Sequence, residues 1–253
     1  MKIISTVEVL RRDSEAEEHT FTDLPPLACG LRSCAIALLI DENESAEGQV
    51  LLLGGFGEHR QVLDLALRVV KVDLATGACT PHPPLLHDRV RSAAARLPDG
   101  RVVCAGGSLH PSDPYPAAMM AEVLEPPEQG SPDGLWRWRE LPPMSVRRDR
   151  AAGCALGDGR FAVFGGEDGD AVKTASCEVL TLDGVERWEP LPPMREARSD
   201  FVCVAVGGCV IVAGGYGLTT VVEVYEEALG RWRRLPCSLP HEGGLYCAGS
   251  ALV

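Results

Sequence analysis

The sequence predicts an all-β fold, a β-propeller of about five blades, each made of four short antiparallel strands, with one incomplete blade shared between the termini. Three observations predict it. An aromatic residue followed by Leu-Pro-Pro returns about every 50 residues. A glycine doublet closes an apolar run in four units. A further glycine stands six residues ahead of every doublet.

The first strand of a unit is a short apolar run in which Cys154, Cys203 and Cys247 hold one recurring place, with Cys34 near it. Its turn to the second strand is Asp99-Gly100, Asp158-Gly159 or Gly207-Gly208, with Glu47-Gly48 in the earliest unit. Asp-Gly and Gly-Gly between apolar runs read as tight hairpins, because both permit positive φ. The second strands are Val50 to Leu53, Val102 to Ala105, Phe161 to Phe164 and Cys209 to Ala213, each running into its doublet. Third strands carry Glu122-Val123-Leu124, Glu178-Val179-Leu180 and Glu223-Val224-Tyr225, with weaker copies at Glu8-Val9-Leu10 and Lys71-Val72-Asp73. The fourth strand holds the recurring phrase itself. It reads Trp138 to Met144, Trp188 to Met194, Trp232 to Pro236, Phe21 to Leu27 and, without the aromatic residue, Cys79 to Leu85.

Each special residue has a physical reason. The doublet lets the backbone turn where a Cβ would clash. Tryptophan offers a large apolar face to pack between neighbouring blades. Proline donates no ladder hydrogen bond, so Pro-Pro ends the outer strand and starts the crossing to the next blade. Cys79 lacks the aromatic face, so looser packing is expected there.

On these residues the chain resembles the kelch-repeat β-propellers, from about Glu8 to about Cys247. The resemblance implies one domain over residues 1–253, with blades at 30–86, 87–142, 143–192 and 193–237 and a last blade from 238–253 plus 1–27. It also implies a function. Kelch proteins often bind partner peptides with their loops, and many are substrate adaptors of ubiquitin ligases joined through a BTB or F-box domain. Here the repeats begin almost at Met1, so an adaptor role is expected only within a complex or if the chain is a fragment. Some members are enzymes, among them galactose oxidase with copper on His and Tyr, a sialic acid epimerase and iron-assisted specifier proteins. The six histidines of this chain are scattered over separate units and no phosphate loop, nucleophile elbow or paired-carboxylate motif is present. The expectation is therefore a non-enzymatic chain without metal or cofactor. The alternative is a small-molecule or metal-dependent enzyme on the central channel, with His59 and His110 the best pair for a ligand set.

Composition narrows the partners. A formal charge of −12 opposes nonspecific nucleic-acid binding. No apolar run reaches the roughly 20 residues of a membrane span, and the N-terminus does not read as a secretory signal. Of the ten cysteines, Cys154, Cys203 and Cys247 share one repeating strand place with Cys34 near it, and there is no Cys-x-x-Cys pair, so reduced, buried apolar thiols in the cytoplasm or nucleus are expected.

Candidate binding residues lie in the connections. The crossings between blades and the loops from second to third strand should open on one face. The crossings carry Arg89, Arg91, Arg147, Arg148, Arg150, Arg195 and Arg198, and a guanidinium fork suits carboxylate or phosphate. The partner expected is a protein or peptide, acidic or phosphorylated. Arg89, Arg148 and Arg198 recur at one offset, so an equally open alternative has them bridging blades. In the other loops His59, His110, Tyr115 and Tyr216 could line the channel mouth, while Glu167 to Asp170 read as ordinary turn chemistry. At the C-terminus Leu245 to Val253 read as a first strand with no second strand after it, which implies a closing blade of three strands or, alternatively, a truncated piece of a larger propeller.

Overall fold

Consecutive blades cannot each own a closed core, because a four-stranded sheet has two faces and both must be covered. The computed structural model shows how this chain solves that, describing residues 7–12, 19–24, 34–39, 48–55, 68–107, 119–127, 134–168, 170–217 and 220–239. After a hairpin of β1 (Val7–Arg12) and β2 (His19–Leu24) come four four-stranded antiparallel sheets. The first is β3 (Ala35–Leu39), β4 (Gln49–Leu53), β5 (Val69–Asp73) and β6 (Cys79–His82). The second is β7 (Ala93–Arg96), β8 (Val102–Ala105), β9 (Ala121–Glu125) and β10 (Arg137–Leu141). The third is β11 (Ala152–Ala155), β12 (Phe161–Phe164), β13 (Cys177–Thr181) and β14 (Arg187–Leu191). The fourth is β15 (Val202–Val206), β16 (Cys209–Ala213), β17 (Val221–Glu226) and β18 (Arg231–Ser238).

Strand order within every sheet follows the chain, so strands consecutive in sequence are hydrogen-bonded neighbours. The first strands β3, β7, β11 and β15 lie beside one another in succession, so the sheets radiate from a common axis. This is a propeller of about four to five blades. The segment 245–253, expected to close the ring, lies outside the described residues.

The core is a series of inter-sheet layers. Leu51 and Leu53 of the first sheet pack with Val102, Cys104 and Leu124 of the second. Val103, Ala105 and Leu141 of the second pack with Phe161 and Leu180 of the third. Phe164, Cys177 and Val179 of the third pack with Val210, Val212 and Trp232 of the fourth. Second strands are sandwiched on both sides, so β8 and β12 are buried along their whole length. That is why they read as unbroken apolar runs rather than alternating ones.

Each tryptophan anchors its outer strand to the crossing that enters the same sheet. The indole N–H groups of Trp138, Trp188 and Trp232 donate to the carbonyls of Pro83, Pro142 and Pro192, all at 2.8 Å. Those carbonyls lie just past the ends of β6, β10 and β14, so the indole satisfies an acceptor that would otherwise lack a partner on burial. Cys79, at the tryptophan position of the first sheet, turns its thiol to the carbonyl of Gly77 instead. β6, β10 and β14 all stop immediately before a Pro-Pro pair, whereas β18, which meets the single Pro236, runs on to Ser238.

Candidate functional site

The loop face is built from the crossings between sheets and the connections from second to third strand. Asp149 of one crossing and Glu167 of one such connection exchange backbone hydrogen bonds at 2.8 and 2.7 Å, which fixes the two sets of loops on one face.

Arg89, Arg148 and Arg198 do not contribute to a binding surface. All three side chains are fully buried. Arg148 Nη2 donates to Glu178 Oε1 at 2.9 Å, and Nη1 donates to the carbonyls of Gly165 and Ser176. Arg89 pairs with Glu122 at 2.6 Å and Arg198 with Glu223 at 3.0 Å in the same manner. The second oxygen of each carboxylate accepts the main-chain N–H that opens the crossing, from Leu86, Ser145 or Arg195 at 2.7–2.8 Å. Four or more charge-assisted bonds per pair compensate for removing two ions from water. The expectation that these three arginines meet a partner is corrected for that reason: their forks are spent inside the fold, each on the sheet that its crossing enters. Sequence reasoning missed the matching glutamates. The signal was present, since a Glu inside an apolar strand of each repeat demands a buried cation.

One pair is incompletely satisfied. Arg148 Nη2 also donates to the hydroxyl of Ser176, but the equivalent residue beside Arg89 is Met120, and Arg89 Nη2 is buried with no acceptor among the described residues. Replacing Met120 with Ser is therefore expected to stabilise the chain by about 1 kcal/mol, read as a higher urea midpoint at unchanged slope.

Arg91 and Arg150 reach the inner rim. They stand two residues after a buried arginine, as does Asp200, and all three adopt the left-handed region at φ 58, 57 and 53°. Each such backbone costs on the order of 1 kcal/mol in a non-glycine residue. Hydrogen bonds from Arg150 N to Arg91 O at 3.1 Å and from Asp200 N to Arg150 O at 3.0 Å hold them there. Arg91 pairs with Asp149 at 3.2 Å, and Arg150 pairs with Asp200 and, at 3.4 Å, with Glu167. Partial burial works against the charge on Arg150, but the hydrogen bond and charge of Asp200, with Glu167 and Asp149, outweigh it and hold its pKa above the ordinary arginine value. Glu167 also accepts the Ser199 hydroxyl at 2.8 Å, so it belongs to this rim and is more than a turn residue. Asp168 does the turn's work, accepting the N–H groups of Asp170 and Val172 at 2.9 and 3.0 Å.

Arg147 and Arg195 are exposed. Tyr216 is 59% exposed, with the Lys173 ammonium 5.2 Å from its ring centre and hydrogen-bonded to its carbonyl. That contact joins a loop of the third sheet to one of the fourth. Val172 beside it is equally open to solvent. His59, His110 and Tyr115 lie outside the described residues. Among the described residues, no three His, Cys, Asp or Glu side chains are grouped to hold a metal ion. Nor is any helix among them long and apolar enough to cross a membrane.

Comparison with known proteins gives three findings. A family model for the Kelch motif matches residues 197–238. A solved structure, "Structure of YjhT", is similar over 97% of this chain and 80% of that one, at 14% identity and a TM-score of 0.73. Comparison with curated protein sequences gives no match. The Kelch motif therefore falls on the fourth sheet, and the backbone as a whole has the fold of a kelch-type β-propeller.

Proposed function

We propose that this propeller is a protein-interaction module that docks a partner protein on its loop face, using Tyr216, Arg147 and Arg195 as contacts and Arg91 and Arg150 as the rim that positions them. The observation that carries this reading is the exposure of Tyr216 and Val172 on a bridge already fixed by Lys173. A rigid aromatic side chain that loses little freedom on binding is the kind of residue that dominates interface energies. Exposed Arg147 and Arg195 suit an acidic or phosphorylated segment, since a guanidinium can grip a carboxylate or phosphate with two bonds. A role as recognition or scaffold subunit follows from the same surface.

The rival reading is small-molecule chemistry in the central channel. It draws on the rim where Asp149, Glu167 and Asp200 face Arg91 and Arg150. One experiment separates the two. Partners captured by the native chain are identified, and their affinity is compared with that for Arg147→Glu/Arg195→Glu and for Tyr216→Ala. Loss of at least tenfold in affinity is expected for each variant, with melting temperature unchanged. Undiminished binding by both variants would sink the loop-face reading.

A further inference from the structure

We propose that Cys154 and Cys203 form an inter-blade thiol pair that closes to a disulfide on oxidation and locks the seam between the third and fourth sheets. The two residues sit at equivalent places, each eleven residues ahead of its glycine doublet, on β11 and β15. Those strands are neighbours at the inner edge of the propeller. Both side chains are buried in one apolar cluster with Leu156, Phe201 and Val212. Across the seam the Cys203 thiol helps to hold the Cys154 pKa well above that of a free thiol. Other buried or half-buried thiols behave differently. Those of Cys79, Cys104 and Cys177 turn to oxygen acceptors on Gly77, Ser92 and Ala175. The repeat thus places two sulfur atoms together where other cysteines merely fill space.

The chemistry balances with a peroxide or a small-molecule disulfide as oxidant. The two S–H bonds break, one S–S bond forms, and two protons and two electrons pass to the oxidant, giving water or two small thiols. The neighbouring Cys203 thiol and burial both raise the Cys154 pKa, so little thiolate is present. Closure is therefore slow and follows opening of the seam. Weak or brief oxidants leave the pair reduced. Once closed, the bond staples the strands that lead from Arg150 and Asp200, so, on the interaction reading above, it stiffens the rim that a partner would meet.

The test uses the native chain without a partner, so its outcome does not depend on the docking proposal. The chain is incubated with hydrogen peroxide or oxidised glutathione until exposed Cys237 is fully modified, then alkylated and digested without reductant. A linked pair of peptides bearing Cys154 and Cys203, lighter by about 2 Da than the two thiols, is expected. The oxidised chain should melt several degrees higher, and dithiothreitol should reverse the shift. Cys154→Ser should show neither change. Recovery of Cys154 and Cys203 as separate thiols or as sulfinic acids from the folded chain, after Cys237 has reacted, overturns the proposal.

Discussion

Arg148→Ala is expected to destabilise this chain by about 3–5 kcal/mol, seen as a fall in urea midpoint with little change in slope. The magnitude follows from what the side chain leaves behind. Glu178 would remain buried with one oxygen stripped of its cation, the carbonyl of Gly165 would lose its Arg148 donor, and that of Ser176 would keep only the Gly165 N–H. An isolated buried carboxylate is far costlier than a buried pair. The first unit shows the way out. Four residues before β3 stands Leu31, where Arg148 stands four before β11, and Val70 occupies the register of Glu178. Both charges have been exchanged for apolar residues together. The double change Arg148→Leu/Glu178→Val is accordingly expected to cost less than Arg148→Ala alone. A double variant that is no better than the single one would show that the pair is not the unit of stabilisation.

Gly165→Ala is expected to be of similar severity, roughly 2–5 kcal/mol. A Cβ at this position would lie 2.6 Å from the Arg198 carbonyl oxygen and 2.9 Å from Met194 Cε, and the backbone sits at φ +58°. The neighbouring Gly166 N–H donates to that same carbonyl at 2.8 Å, so the two backbones cannot separate without losing an inter-blade bond. Gly184→Ala serves as the control. It shares the positive φ, at +82°, but its Cβ would meet nothing within 4 Å, so only the conformational cost of about 1 kcal/mol is expected. Thermal or urea unfolding of the two variants separates clash from backbone preference. Equal losses would mean that close approach of the blades is not what the doublet serves.

Much of the fold was legible because a propeller repeats its instructions. A doublet such as Gly165-Gly166, a turn such as Asp158-Gly159 and the Trp188 phrase each satisfy a local need that recurs once per sheet. The site was legible only in part. Arg148 and Arg150 are two residues apart and chemically identical, yet one is buried against Glu178 and the other reaches the rim. Counting offsets could show that Arg148 repeats. It could not show whether the repeat faced water or a neighbouring sheet, because that depends on Glu178, thirty residues away in the chain. Asp200, by contrast, replaces arginine at the rim position of the fourth sheet and so turns a row of cations into a mixed network, with Arg150 its partner.

What the sequence alone determined was the repeated unit: strand count, turn chemistry and the all-β propeller, since these rest on interactions between residues close in the chain. What the tertiary structure decided was which charges are buried as structural pairs and which stand exposed. Those depend on the packing of one sheet against the next, where desolvation and the partner's position, rather than local pattern, set the energy of every ionic group.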